Sequence, residues 1–208
     1  MNAKSFPFLV PTSTVIALHP DDPYKVCVIE QTSKHAARLT LVGGRREMER
    51  HTHEQTAIAE WSEEAGGKGA TLVDIRLWAV KTDANSDVRE TTLGKVTFDR
   101  CPESMRDQPV VAHYGAPDYI YLAKVEGEPF PSDGEASQCL FIDIRDIPTP
   151  SEDECRSSFG AQHDLILLSY LLELQGYPVS NTDLADFVAL RKKLIMQVSA
   201  FREPATTK

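Results

Sequence analysis

Hydrophobic and polar positions alternate with two different periods along the chain. Short β-branched runs come first: Thr14 to Leu18 (TVIAL), Lys25 to Glu30 (KVCVIE) and Arg38 to Val42 (RLTLV). Between the first two lies HPDDPY, whose prolines and aspartates predict a turn. The third run ends at Gly43-Gly44, and a polar loop, RREMERHTHE, follows. The period then changes. From about His53 to Ala65, Ala57, Ile58, Trp61 and Ala65 recur at helical spacing, and Gly66-Gly67 predicts the stop. Strands resume at Leu72 to Val80 and at about Thr91 to Phe98, split by the turn-like TDANSDVRE. Cys101 to Asp118 reads as a long irregular connection, the kind of loop that lines a substrate pocket. Tyr119 to Val125 (YIYLAKV) and Cys139 to Ile144 (CLFIDI) are strand patterns flanking a turn at Pro129 to Glu135. Two helices close the chain, at about Gln162 to Leu174 and Thr182 to Phe201, the second capped by Asn181 or Thr182. The tail REPATTK is expected to be disordered. Strands, one helix, more strands and then helices predict an α/β fold with a mixed sheet covered by helices, not a doubly wound parallel sheet.

Charge narrows the function. The 208 residues carry 22 Lys and Arg against 31 Asp and Glu, so the formal net charge is 22 − 31 = −9. Such a chain is not expected to coat nucleic acid, because that affinity comes from Lys and Arg neutralising phosphates. A small phosphorylated ligand stays open if a metal cation or a local Arg cluster supplies positive charge. No apolar stretch is long enough for a transmembrane helix, and the N-terminal run, broken by Pro7 and Pro11, reads as the entry to a strand rather than a signal peptide. Cys27, Cys101, Cys139 and Cys155 are scattered with no C-x-x-C pair, which predicts reduced thiols in a cytoplasmic protein.

Chemistry concentrates between Gly43 and Gly66. Glu60, Glu63 and Glu64 stand at i, i+3 and i+4, within one arc of a helix surface at about 100° per residue. Like charges at this spacing cost a helix about 0.2–0.5 kcal/mol each, and the helix dipole disfavours anions in its C-terminal half. A divalent cation with hard-oxygen preference relieves both costs. A solvated acidic face is the plainer alternative. His51 and His53 form H-x-H in a charged loop with no third soft ligand, so they are not read as zinc ligands. Trp61 is assigned to the core, and Tyr114 or Phe98 is a candidate to stack on a base. No Ser–His–Asp order, P-loop or G-x-G-x-x-G occurs.

This segment resembles the Nudix box, G-x5-E-x7-R-E-U-x-E-E-x-G-U, in which U is a bulky apolar residue. Aligned on its end, Glu60, Trp61, Glu63, Glu64 and Gly66 match. Ala59 stands at the family's Arg, Gly67 at its last apolar position and His51 at its middle glutamate, and Gly44 lies one residue upstream. The resemblance implies a Nudix-like α/β/α sandwich with a mixed sheet, spanning residues 1–178, with 179–208 a C-terminal helix and tail of the same domain. It implies Mg²⁺, replaceable by Mn²⁺, held by Glu60, Glu63, Glu64 and the backbone of Gly43 or Gly44. Glu63 or Glu135 would be the catalytic carboxylate, and Arg45 and Arg46, with Arg50, would meet substrate phosphates. The implied reaction is hydrolysis of a diphosphate linkage in a nucleoside diphosphate joined to another group, of ADP-ribose or nucleotide-sugar type. The substrate is a small-molecule nucleotide; neither a membrane nor nucleic acid in general is expected as a partner, and a homodimer stays open. The alternatives are a Nudix-like module that binds nucleotide without turnover, or a scaffold with an incidental acidic helix.

Overall fold

A computed structural model describes residues 7–32, 37–45, 52–82, 87–96, 101–132, 136–150, 159–160, 162–184 and 186–202. The strands are β1 (Pro7–His19), β2 (Asp22–Thr32), β3 (Ala37–Thr40), β4 (Val42–Arg45), β5 (Thr71–Lys81), β6 (Asp87–Thr92), β7 (Pro109–Glu126) and β8 (Ala136–Asp143). The helices are α1 (His53–Glu64), α2 (Leu93–Val96), α3 (His163–Leu174), α4 (Asn181–Leu184) and α5 (Phe187–Arg202). One mixed sheet runs β3-β2-β1-β7-β5, with β4 on β1, β6 on β7 and β8 on β2. The β1–β7 pair is parallel, and every other described pair is antiparallel.

Both faces of the sheet are apolar, so both are covered. Along β1, Val15 and Ala17 point to one side and Ile16 to the other, all fully buried. On the first side Val15, Ala17, Ile29 and Tyr121 pack against Ala57, Trp61 and Ala65 around α1. On the other, Ile16, Val28 and Ile120 meet α3, with Leu190, Leu194 and Val198 of α5 in the same cluster. The α/β/α layering follows from this two-sided period of two. No side-chain cap opens α3. A cap is worth about 1 kcal/mol. Leu165, Ile166, Leu167, Leu168, Leu171 and Leu172 are all fully buried, each worth roughly 1.5–3 kcal/mol, so packing decides that this helix forms.

Several elements differ from the sequence expectation. RLTLV is broken at Leu41 into β3 and β4, and Gly43-Gly44 lies inside β4 rather than beyond a strand. The strand expected at Thr91 to Phe98 lies earlier, at Asp87–Thr92, and a helical turn follows it. The last helix is two, α4 and α5, with Asp186 Oδ1 capping α5 by accepting from Val188 and Ala189 N–H at 3.0 Å. Ser180, not Asn181 or Thr182, caps α4 through its reciprocal bonds with Asp183. Of the expected tail REPATTK, Arg202 is the last residue of α5, and 203–208 lie outside the described residues.

The largest difference is at Cys101 to Asp118. Only its first part is irregular; from Pro109 it is the first half of the 18-residue strand β7. The β1–β7 ladder jumps from Val10↔Tyr114 to Thr12↔Asp118, so Pro11 alone faces residues 115–117. Pro11 and Pro117 have no N–H to give the ladder, and Gly115 takes φ +73°. The strand pattern is interrupted in the sequence because the strand itself is bulged.

Candidate functional site

Helix α1 begins with a capping box. Thr52 Oγ1 accepts from Gln55 N–H at 3.1 Å, and Thr52 N–H donates to Gln55 Oε1 at 2.8 Å. It ends at Glu64 without a left-handed cap. Gly66 serves close approach instead, since a Cβ there would stand 2.9 Å from Ser62 Cα. Beyond it, Gly67 N–H donates to the Phe130 carbonyl at 2.9 Å, and Phe130 N–H to that of Ala65 at 2.8 Å. Trp61 is fully buried and donates Nε1–H to the Ala70 carbonyl at 3.0 Å, which fixes the rotation of α1. Ile58, expected on the apolar side, is 40% exposed. The face turned to the sheet is Ala57, Trp61 and Glu64.

That rotation separates the three glutamates. Glu64 is only 6% exposed, and its Oε2 accepts from Gly43 N–H at 3.3 Å. Glu60 is half-buried with its carboxylate against Gly44; a Cβ at Gly44 would overlap it. Glu63 is exposed, and its backbone carbonyl accepts from Ser132 Oγ. The structure thus brings Glu60 and Glu64 onto the Gly43-Gly44 backbone, with Glu63 beside them on the solvent side. Among the described residues no group of three or more His, Cys, Asp or Glu is gathered for a metal ion. Glu135, Arg46, Arg50, His51 and Phe98 lie outside the described residues. Arg45 Nη1 donates to the Lys95 carbonyl at 3.1 Å, and its guanidinium stands 5.9 Å from the ring centre of Tyr114. His53 stacks on Tyr119 with ring centres 3.6 Å apart.

Gly43 and Gly44 also border a cleft of about 510 Å³ on the α3 side of β4. Tyr114, Gly115 and Asp118 from the bulged part of β7 line it, with Lys81 from the end of β5 and Gln162 and His163 from the start of α3. Asp118 is 3% exposed and accepts from Thr12 Oγ1 at 2.8 Å and from Thr14 Oγ1 at 3.0 Å. His163 Nδ1 accepts from Leu41 N–H at 2.9 Å. Burial, and then the charge of Lys81, pull the His163 pKa down to about 3, so the ring is neutral near pH 7. Arg89 stands 5.3 Å from the centre of the Tyr114 ring. Besides Gly43 and Gly44, only Tyr114 of these residues was a sequence candidate. The others come from separate elements, β5, β6, β7 and the start of α3, and meet only in the folded chain.

The chain is similar to a solved Nudix hydrolase from Nitrosomonas europaea, with 17% identity over 84% of this chain and 77% of that one, at a TM-score of 0.52. The fold is the Nudix fold. A Nudix hydrolase family member from Chromobacterium violaceum overlaps at 17% identity over 94% of this chain and 96% of its own, with a TM-score of 0.47. An ADP-ribose pyrophosphatase from Streptococcus suis overlaps at 13% identity over 82% and 95%, also at 0.47. No family model and no curated protein matches the sequence. Glu60, Glu63 and Glu64 all lie on α1, the element that follows β4 in the chain. No helix among the described residues is long and apolar enough to cross a membrane.

Proposed function

We propose that the protein is a divalent-metal-dependent pyrophosphohydrolase acting on a nucleoside diphosphate joined to another group, of ADP-ribose or nucleotide-sugar type. One observation carries the reading: in a Nudix fold, two glutamates one helical turn apart meet a glycine pair that has no side chains to hold them off. Carboxylates from Glu60 and Glu64 and a backbone oxygen from Gly44 form an all-oxygen donor set, which suits Mg²⁺ or Mn²⁺. Such an ion, when bound, neutralises a diphosphate and acidifies a coordinated water. Glu60 and Glu64 stand one turn apart at the end of α1, and the Gly43 amide fixes the orientation of Glu64. Glu63, exposed on the same helix, is the first candidate to accept the proton of the attacking water, and Glu135 is the second. Arg45, the last residue of β4, and Arg46, which follows it in the sequence, are the candidate phosphate contacts, and Tyr114 is the candidate platform for the base. Cys27, Cys101 and Cys139 form no disulfide, consistent with work in a reducing cytoplasm.

The test is turnover of ADP-ribose, nucleotide sugars, dinucleoside polyphosphates and nucleoside triphosphates with Mg²⁺ or Mn²⁺. Release of a nucleoside monophosphate from a diphosphate-linked member of the panel is expected. Folded protein that cleaves none of them rejects the reading and leaves a nucleotide-binding module.

A further inference from the structure

The cleft beside β4 holds a buried cation with no ion pair among the described residues. Lys81 is 7% exposed and lies directly across the β5–β7 ladder from Asp118. The two do not form an ion pair, and among the described residues Lys81 has no carboxylate partner. Asp118 is occupied by threonine hydroxyls. The ammonium stands 5.5 Å from the ring centre of Phe187 and would be 3.3 Å from a Cβ on Gly115. Phe187 and Gly115 both line the cleft, so the charge is at its wall. Gly115, held at φ +73°, leaves open the space next to it.

A buried ammonium without an ion-pair partner is costly, and an anionic ligand group would offset that cost. Its neighbours point the same way. With Nδ1 of His163 accepting from Leu41, the ring proton sits on Nε2 and can be donated. Gln162, next to it on the cleft wall, has a left-handed backbone at φ 58° and a buried Oε1 with no hydrogen-bond partner, an acceptor that suits a donor group of the ligand and not its anionic oxygen. Strain and unmet polar groups are tolerated where a ligand completes them. Among the charged residues that line the cleft, Lys81 and Arg89 outweigh Asp118, in a protein whose net charge is −9.

We propose that this part of the cleft is an anion subsite, in which Lys81 Nζ and His163 Nε2–H take an anionic oxygen of the ligand. The proposal rests on the reading of Glu60 and Glu64 as the place where a diphosphate is cleaved, and it adds a second point of attachment. The oxygen belongs either to the diphosphate itself or to a carboxylate on the group joined to it.

Calorimetry on the full chain in EDTA separates these sources, with UDP-glucose, UDP-glucuronate and inorganic pyrophosphate as probes. Lys81→Met is expected to weaken binding at least tenfold, the loss of about one charge-assisted hydrogen bond. Loss confined to UDP-glucuronate identifies a carboxylate; loss with all three identifies phosphate oxygen. Without ligand, Lys81→Met is expected to melt at or above the wild-type temperature, since an unpaired buried charge is removed. His163→Asn keeps an acceptor for the Leu41 amide, removes the Nε2–H donor and is expected to weaken the same probe. Affinities within twofold of wild type for every probe in both variants overturn the proposal, as does a wild-type protein that binds none of them at millimolar concentration. Binding through Lys81 without cleavage by the metal-loaded protein rejects the hydrolase reading and keeps the subsite. Cleavage with binding indifferent to Lys81 does the reverse.

Discussion

The Gly43 amide donates to the Glu64 carboxylate across 3.3 Å, joining the middle of β4 to the last residue of α1. A carboxylate at a helix C-terminus is disfavoured by the dipole. A backbone N–H aimed at it offsets part of that cost and fixes where the oxygens point. The next residue along β4, Gly44, receives the carboxylate of Glu60 in the space where another residue would have a Cβ. The strand and the helix hold the two acids in place together.

Replacing either acid by its amide should therefore remove activity and leave the fold. Glu64→Gln retains an oxygen for the Gly43 amide, and Glu60→Gln fits the same space. Groups that only support metal ligands typically cost 10–100-fold when changed, so loss of a ligand is expected to lower kcat by about 100-fold or more. Initial rates over a Mn²⁺ titration, with circular dichroism as the check on folding, decide the matter. Rates within threefold of wild type would remove both residues from the proposed metal site.

The two glycines are predicted to fail differently. A Cβ on Gly43 would stand 2.5 Å from the Ser13 carbonyl oxygen and 2.9 Å from Thr14 Cα, both backbone atoms of β1. Gly43→Ala must push strands apart and is expected to cost about 1–3 kcal/mol in urea unfolding. A Cβ on Gly44 meets only the far end of the Glu60 side chain, which can swing away. Gly44→Ala should lose less than about 1 kcal/mol of stability, yet lose activity because Glu60 is displaced. Equal stability losses in the two variants would contradict this assignment.

How far the sequence could be read follows from how local each signal is. The extent of α1 was legible because the helical spacing of Ala57, Trp61 and Ala65 and the glycines after it are local to the segment; its capping box, Thr52 with Gln55, was equally local but was not read. Its rotation was not: Ile58 and Glu64 exchange their expected environments because the sheet and the Trp61–Ala70 bond choose the buried face. The glutamates of α1 were legible as a pattern, but only the packing shows that Glu60 and Glu64 face β4 while Glu63 faces solvent. The first half of β7 was hidden because Pro117 and Gly115 break the strand pattern. The same bulge places Tyr114, Gly115 and Asp118 on the cleft, so the residues hardest to foresee were those the irregularity positions. Lys81 and Asp118 are far apart in the sequence and meet only through β-pairing.

Thr52 tests whether α1 depends on its local start. Its hydroxyl and the Gln55 side chain close the capping box. Thr52→Ala is expected to cost about 1 kcal/mol, and Thr52→Asp to restore most of it by accepting the same Gln55 amide. The site lies at the far end of α1, so kcat at saturating metal should change less than about threefold. Thermal melts of the two variants beside rates at high Mn²⁺ separate the two effects, and an unchanged melting temperature in Thr52→Ala would show that packing alone sets the helix.

His163 makes a prediction about acid. Burial, with the Lys81 charge added, holds its folded pKa near 3, whereas an unfolded histidine titrates near 6.5. Between these values the unfolded chain binds a proton that the folded chain does not. This histidine's effect on stability is therefore nil above about pH 6.5 and increasingly unfavourable as pH falls toward 3, with a slope of at most about 1.4 kcal/mol per pH unit. His163→Asn carries no such proton and can still accept from the Leu41 amide. Its stability at pH 7 should be somewhat lower than wild type, and the gap should narrow or reverse by pH 4.5. Urea unfolding at half-unit steps from pH 7.5 to 4.5 measures the difference directly. Two curves that stay parallel across that range would mean the imidazole is charged in the folded protein, or ordinary in its titration, and would remove the neutral Nε2–H donor from the cleft.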